Sequence, residues 1–161
     1  MIEKEKIKFL GFEVGTNRIN LQPHISRKIM KYPDQLQTRK QIQGFLRLLN
    51  HASSYIPNLA KKKKDLQSLQ RKNNTLSWTK KYTEIVKKLK EECQQLPNLR
   101  LAEPEDNLIL QTEASDKIWA AVLKTNLNEI CGYHSRTFSK HEENYNTMEK
   151  ELLIIIRGIT K

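Results

Sequence analysis

Apolar residues recur at helical spacing in the stretch between Pro23 and Pro97. Residues 38–41 read Thr-Arg-Lys-Gln, a capping box that opens a helix. The apolar positions after it fall on one stripe, namely Ile42, Phe45, Leu46, Leu49, Ala52 and Ile56. Pro23 suits the first turn of an earlier helix, and Asn58 and Thr79 suit the start of two later ones. The pattern therefore predicts four helices.

Strands are predicted on both sides of these helices. Ile7–Val14 is apolar and aromatic, so we expect one strand there with a short partner at Ile19–Leu21. Beyond the helices, three short apolar segments are separated by turns: Leu108–Thr112, Ile118–Lys124 and Ile130–Arg136. Their order predicts an antiparallel meander, with Glu113 where its first strand ends.

A last helix is predicted after the meander. The sequence Asn-Thr-Met-Glu at residues 146–149 can cap it. We expect the helix to bury one stripe against the sheet, made of Met148, Leu152, Ile155 and Ile159. The chain is thus predicted to be α+β, a helical region followed by three strands and one helix.

Charge divides the chain into two unlike parts. The 161 residues carry 29 Lys and Arg against 18 Asp and Glu, a formal net charge of +11. Met1–Arg100 holds 22 basic and 8 acidic residues, a net of +14, whereas Leu101–Lys161 holds 7 and 10, a net of −3. This asymmetry favours a polyanion-binding surface, and the alternative is a solvated basic surface without a specific partner. The composition changes near Pro97–Pro104, which we take as the domain boundary.

Cysteine usage and the N-terminus bear on the compartment. Cys93 and Cys131 are the only cysteines and form no motif with zinc spacing, which fits a reducing intracellular setting, cytoplasmic or nuclear. The charged N-terminus lacks the apolar stretch of a signal peptide. The longest aliphatic run, Leu152–Ile156, is far shorter than a membrane span, so no membrane partner is expected.

Two groups of lysines are candidate phosphate contacts. One is the run Lys61, Lys62, Lys63 and Lys64, and the other follows the polar face of the fourth helix, with Lys80, Lys81, Lys87, Lys88 and Lys90. Such contacts would give affinity for nucleic acid that is independent of sequence and falls with salt. The alternative for each lysine is a solvated helix face. Tyr82 and Trp119 fall on apolar positions, so we expect them to pack rather than to stack on bases.

Glu113 and Glu151 are the candidate catalytic residues. One ends the first strand of the meander and the other lies in the early turns of the last helix, so the two carboxylates can converge at one edge of the sheet. Mg²⁺ prefers oxygen ligands, and two such ions can activate a water for phosphodiester cleavage. By position alone the commoner interpretation is an exposed acid at a strand end and an acid that complements a helix dipole.

Several segments follow a family pattern in the same order and at ordinary spacing. They are KFLGFEV at 8–14, PHISRKIMKYPDQLQTRKQIQGFLRLLNHASSYIPNLA at 23–60, LSW at 76–78, LKEECQQLPNL at 89–99, LILQTEASDKIWAAVLK at 108–124 and YHSRTFSKHEENYNTMEKELLIII at 133–156. Together they resemble the C-terminal portion of the reverse transcriptase–ribonuclease H polyprotein of plant pararetroviruses, the caulimoviruses. Gypsy-type retrotransposons come second. The chain could be an endogenous copy of such a sequence.

The resemblance implies three parts. Residues 1–22 look like the end of a palm-like strand pair, residues 23–100 like a helical thumb and connection region, and residues 101–161 like a truncated ribonuclease H-like unit. In the parent enzyme this portion would grip the template–primer duplex and begin the nuclease that removes RNA from RNA–DNA hybrid. The implied partners are hybrid or duplex nucleic acid and the remaining polymerase and nuclease portions. The implied cofactor is Mg²⁺ or Mn²⁺, with Glu113 and Glu151 at catalytic and metal-ligand positions.

The chain departs from the family pattern at the positions that would bind metal and carry out catalysis. The family has Thr-Asp-Ala-Ser where residues 112–115 read Thr-Glu-Ala-Ser, and Glu113 is one methylene longer than Asp. The family's later acidic ligands and the polymerase Tyr-x-Asp-Asp motif do not occur. A small glycine pair of the family is replaced by alanines at 120–121. The resemblance also implies a wider sheet than the meander, so the third strand of the meander would here present an unpaired edge.

Three functional hypotheses remain. The first is a Mg²⁺-dependent ribonuclease H that is completed in trans. The second is a catalytically inert nucleic-acid-binding remnant, and the third is a relic without activity. The departures from the family pattern favour the last two hypotheses for the chain in isolation.

Overall fold

The N-terminal residues form two strands where one was predicted. The computed structural model describes residues 6–70 and 77–160, and in it β1 (Lys6–Phe9) pairs antiparallel with β2 (Phe12–Gly15). The turn residues Leu10 and Gly11 have positive φ angles of 46° and 87°, which reverses the chain within two residues. A Cβ at Gly11 would lie 2.5 Å from Nε2 of His51, so this turn requires glycine. The sequence pattern did not predict this turn because apolar residues continue on both sides of it.

A four-stranded antiparallel sheet is completed by two short strands. The predicted return strand is confirmed as β3 (Arg18–Leu21), which pairs with β2. The sequence did not predict β4 (Leu99–Arg100), which pairs with β3. The sheet order is β1-β2-β3-β4, so the chain that follows the helices returns to the N-terminal sheet.

The four predicted helices are confirmed. They are α1 (Pro23–Met30), α2 (Arg39–His51), α3 (Leu59–Ser68) and α4 (Lys80–Gln94), with a 3₁₀ turn at Ser53–Tyr55 between α2 and α3. The capping box of α2 forms as expected, since Thr38 Oγ1 accepts from the backbone N–H of Gln41 at 3.2 Å. The four helices share one core, which contains the whole predicted stripe of α2. Within residues 6–70 and 77–160, none of the helices is long and apolar enough to cross a membrane.

Lys90 corrects the predicted polar face of α4. It is buried rather than exposed, and its ammonium forms an ion pair with Asp34 at 2.6 Å and donates to the carbonyl oxygen of Tyr32. The hydrogen bond from Lys90 lowers the pKa of Asp34. Because a buried ammonium needs such partners, Lys90 fastens α4 to the loop between α1 and α2 and is not available to a phosphate.

The predicted meander is confirmed as a second, separate sheet. Its strands are β5 (Leu108–Ala114), β6 (Ile118–Thr125) and β7 (Ile130–Thr137), antiparallel in that order. Strand β5 runs further than predicted, so Glu113 lies inside it, opposite Ala120, rather than at its end. Both β5 and β7 are edge strands of this sheet, whereas the prediction named only the third strand.

The last helix, α5 (Thr147–Ile159), begins with the predicted capping box between Asn146 and Glu149. The predicted buried face is wrong. Ile154 is 1% exposed and packs with Trp119 and Phe138, whereas the residues on the predicted stripe are exposed. These exposed residues, with Ile156, form what we call the α5 apolar face: Met148, Leu152, Ile155, Ile156 and Ile159. Five consecutive apolar residues cover more than one face, so spacing alone did not identify the side that packs.

We predict that the isolated chain self-associates through the α5 apolar face, because exposed contiguous apolar surface favours association. Leu152→Glu should shift the chain towards monomer, since Leu152 is 59% exposed and Glu is a good helix former. Leu127→Glu is the matched control, because Leu127 is 77% exposed but lies outside α5. Sedimentation velocity at increasing concentration measures the effect. A monodisperse wild-type monomer would contradict the prediction.

Candidate nucleic-acid interface

The second sheet docks on the helical region through β7. The backbone N–H of Ala60, in the first turn of α3, donates to Oγ of Ser135 on β7 at 2.9 Å. First-turn amides of a helix have no partner within the helix and need a cap. Asn58 was predicted to provide it, but Asn58 is left-handed, with φ of 53°, and its side chain makes no capping hydrogen bond. A serine 75 residues away therefore accepts a hydrogen bond from one of these amides.

A second link between the sheets is ionic. Glu129, before β7, forms an ion pair with Arg18 at 3.0 Å and lies 3.8 Å from Arg100. Arg100 also pairs with Glu103 at 3.0 Å and Asp106 at 3.3 Å. The backbone N–H of Glu103 and then the Arg100 guanidinium hold the pKa of Asp106 below its ordinary value. The charges at this end of the junction therefore largely neutralise one another.

The lysine run of α3 divides into engaged and unengaged residues. Lys62 forms an ion pair with Glu92 at 2.6 Å, which ties α3 to α4, and Lys63 donates to Oδ1 of Asn50. Lys61 and Lys64 are exposed and form no ion pair with another described residue. Three of the four lysines therefore form no ion pair with a described acid, and two of these three, Lys61 and Lys64, are also exposed.

The lysines of α4 divide in the same way. Lys81 pairs with Asp65 at 2.6 Å, and this hydrogen bond raises the pKa of Lys81. Three others are exposed and form no ion pair within the described parts of the chain: Lys80, Lys87 and Lys88. Together with Lys61 and Lys64 they are the five predicted lysines that we call the exposed lysines of α3 and α4.

Glu113 faces the helical region rather than α5. Leu110 and Ala114 pack on the cluster that contains Ile154 of α5, and successive residues of a strand point to opposite faces. Glu113 therefore lies on the other face, where it lines a shallow cavity of about 240 Å³ with Pro57 and Asn58. It is exposed.

Glu151 is exposed in the second turn of α5, on the helix that covers the opposite face of the sheet. Glu113 thus points from one face of the second sheet, whereas Glu151 lies on the helix that covers the other face. No described contact joins the two carboxylates. Among residues 6–70 and 77–160, no group of three or more His, Cys, Asp or Glu side chains could hold a metal ion.

Trp119 and Tyr82 pack as expected. Trp119 is 1% exposed and belongs to the core of the second sheet, and Tyr82 packs on the helical core. Trp78 also packs there, and its Nε1 donates to Oγ1 of Thr83 at 2.9 Å. Base stacking by Trp119 would require its core to open, whereas Trp78 and Tyr82 are only partly buried.

Sequence reasoning missed Arg136. It lies in β7, is exposed, and forms no ion pair with any described residue. Nothing in the sequence separated it from other surface cations, because its neighbours in space come from α2 and α3, more than 60 residues earlier.

Comparisons with known proteins match the whole chain to viral polyproteins. The chain is 43% identical over 162 residues to the enzymatic polyprotein of Figwort mosaic virus (strain DxS) and 41% identical over 161 residues to that of Carnation etched ring virus. Both matches cover 98% of this chain and 24% of the polyprotein, so the chain spans about a quarter of these relatives. The genome polyprotein of Petunia vein clearing virus is 35% identical over 164 residues, which are 100% of this chain and 7% of that protein.

Solved structures share the fold. The foamy viral protease-reverse transcriptase in complex with RNA/DNA hybrid superposes with a TM-score of 0.81 and 24% identity, covering 98% of this chain and 22% of that one. The same protein in complex with dsDNA gives a TM-score of 0.76, covering 98% of this chain and 34% of that one. The arrangement of both sheets and the helices therefore recurs in a retroviral reverse transcriptase.

A family model described as "RNase H-like domain found in reverse transcriptase" matches residues 78–161. The match begins in the loop before α4 and so includes that helix as well as the second sheet and α5. It covers more than half of the chain. The chain belongs to the family of RNase H-like domains found in reverse transcriptases.

Proposed function

We propose that this chain is the part of a reverse transcriptase–ribonuclease H that holds hybrid or duplex nucleic acid by its backbone and leads it to the nuclease domain. The observation that carries the proposal is the set of exposed lysines of α3 and α4, which form no ion pair with a described acid. They lie within Met1–Arg100, which has a net charge of +14. Unpaired lysines on a basic surface bind phosphates without reading sequence.

Structures of a protein with the same fold support nucleic acid as the proposed partner. The foamy viral protease-reverse transcriptase with the same fold has been solved in complex with RNA/DNA hybrid and with dsDNA. We carry these two ligands to this chain as its proposed partners. We also propose that residues 1–22 correspond to the end of the palm, residues 23–100 to the thumb and connection, and residues 101–161 to the start of the ribonuclease H domain.

A divalent metal does not fit the described residues by themselves. Two-metal cleavage needs several carboxylates that converge on two ions about 3.5–4 Å apart. The structure offers Glu113 and Glu151 on elements at opposite faces of the sheet, and no group of three possible ligands occurs among the described residues. Glu113 also has a longer side chain than the Asp of the family pattern, and Mg²⁺ tolerates altered geometry poorly. We therefore derive no catalytic step from this chain alone.

A nuclease in a longer protein is the second candidate function. The family model includes both glutamates within residues 78–161, and the polyproteins of Figwort mosaic virus and Carnation etched ring virus are about four times as long as this chain. Further carboxylates supplied by such a protein would complete the ligand set. In that setting Glu113 and Glu151 would act as metal ligands.

Binding is the first test of the proposed function. The wild-type chain should bind hybrid and duplex nucleic acid with little sequence preference, and log Kd should rise linearly with log salt, by roughly 0.9 per neutralised phosphate. Lys61→Gln combined with Lys64→Gln should make this slope shallower by up to about 1.8. Fluorescence anisotropy at several salt concentrations measures both quantities.

The matched control for this pair is Lys61→Arg combined with Lys64→Arg. Arg keeps the charge and is a comparable helix former, so the slope should stay near the wild-type value. Circular dichroism shows that each variant remains helical. Affinity that is flat between low and moderate salt would contradict the electrostatic account.

Cleavage is the second test. The isolated chain should not detectably cleave labelled RNA–DNA hybrid in Mg²⁺ or Mn²⁺, because two carboxylates cannot hold two coordination spheres. Glu113→Asp should not restore cleavage by itself. A longer chimeric chain that adds further acidic strands of a relative is the comparison in which Glu113→Asp should raise the rate.

Two variants distinguish cleavage by this chain from cleavage by a contaminating nuclease. Glu151→Gln removes a proposed ligand, and Glu105→Gln removes an exposed acid outside the proposed site. Metal-dependent cleavage by the wild type that is lost in Glu151→Gln and kept in Glu105→Gln would overturn the hypothesis of an inert remnant and make the short chain an enzyme.

A further inference from the structure

A polar groove of about 520 Å³ lies where β7 meets the helical region. Two of its lining residues are cations, Lys63 of α3 and Arg136 of β7. The other described lining residues are Asn50, Ser53, Ala60, Gln67, His134, Ser135 and Thr137. This lining contains no Asp or Glu, so its cations face the groove without a neutralising carboxylate. We call it the junction groove.

The positive charges of the two cations of the junction groove repel each other. Lys63 is half-buried, and burial and then the charge of Arg136 lower its pKa. The only described partner of its ammonium is neutral, the side-chain oxygen of Asn50. Like charges that share a partly desolvated groove repel, and an anion between them would replace this repulsion with attraction.

The junction groove continues along β7 towards α5. A second depression of about 600 Å³ shares His134, Arg136 and Thr137 with it and is also lined by Arg157. Arg157 is held by Glu142, and its guanidinium carbon lies 5.9 Å from the centre of the Trp119 ring. Glu142 also lines this depression, so the cations along the path that have no described acidic partner are Lys63 and Arg136. The continuous path leaves room for an extended polyanion on both sides of these two cations.

We propose that the junction groove binds a phosphodiester of the nucleic-acid backbone, with Lys63 and Arg136 as its direct contacts. This inference rests on the proposed function and deepens it, since it adds a contact that the helical region and the RNase H-like unit make jointly. A backbone held there spans both parts of the fold. The guanidinium of Arg136 can donate two hydrogen bonds to one phosphate, and the ammonium of Lys63 supplies a point charge.

The first experiment combines Lys63→Gln with Arg136→Gln. The salt slope for hybrid binding should become shallower by about 1.8, and affinity at moderate salt should fall roughly tenfold. Arg136→Lys is the control that keeps the charge, and it should bind within about threefold of wild type because it loses only the fork geometry. All variants are compared by fluorescence anisotropy on one hybrid.

Arg136→Glu separates ligand binding from a structural role. It places a carboxylate beside Lys63, so thermal stability should be unchanged or higher, while hybrid affinity should fall by more than in Arg136→Gln. If Arg136 only supported the fold, Arg136→Glu would lower the melting temperature, and binding would fall no further than the loss of folded protein explains. That result would overturn the inference.

Chemical protection of Lys63 locates the contact. Bound hybrid should slow acetylation of Lys63, read by mass spectrometry, but not acetylation of Lys117, which is exposed in the β5–β6 turn. A nucleoside triphosphate at constant ionic strength forms a second arm. If the triphosphate protects Lys63 and the hybrid does not, the groove takes a free anion and the backbone contact is wrong.

The outcomes distinguish this inference from the proposed function. If the wild type fails to bind hybrid, the proposed function falls and this inference falls with it. If the wild type binds and only the exposed lysines of α3 and α4 matter, the inference falls alone. If Lys63 is protected and the Gln pair weakens binding, both stand.

Discussion

The fold depends on a helix cap that comes from another part of the chain. Helix α3 begins at a left-handed Asn58 whose side chain does not cap, and the amide of Ala60 donates instead to Ser135 on β7. A capping hydrogen bond of this kind contributes about 0.5–2 kcal/mol. Because the donor lies in the helical region and the acceptor in the second sheet, the bond fixes the position of that sheet as well as the start of α3.

The candidate interface follows from this docking. Lys63 lies one helical turn after Ala60, and Arg136 follows Ser135, so the cap brings the two cations into one groove. At the other end of the junction the cations and carboxylates neutralise one another around Glu129. On one side of the junction, acidic and basic side chains of the chain therefore neutralise one another. On the other side positive charge remains, and a bound polyanion would neutralise it.

Local chemistry made much of the fold predictable. Capping boxes at Thr38 and Asn146 depend on residues three positions apart, and both formed as expected. The meander was predictable because alternation and turns are also local. The turn at Gly11 was missed because its glycine lies within a continuous apolar run, and the packed face of α5 was misassigned because five consecutive apolar residues mark no single face.

What the sequence did not predict is contact between residues far apart in the chain. Lys90 was expected on a solvated face, but it is buried, and its ammonium donates to Asp34 and Tyr32, which are 56 and 58 residues away. Arg136 was not singled out because its neighbours belong to distant helices. The two glutamates were predicted from their places in the expected strand and helix and from a family pattern, and that pattern has a larger ligand set than the described residues provide. Site chemistry was therefore harder to predict than secondary structure.

Amide hydrogen exchange at Ala60 tests most directly whether β7 caps α3 and docks the second sheet. Ser135→Ala removes the acceptor without changing charge, and Ser135→Thr retains a hydroxyl as the control. We expect the Ala60 amide to exchange roughly fivefold faster in Ser135→Ala, which corresponds to about 1 kcal/mol of lost protection, and to stay near the wild-type rate in Ser135→Thr. Equal exchange at Ala60 in wild type and Ser135→Ala would show that Ser135 does not cap α3.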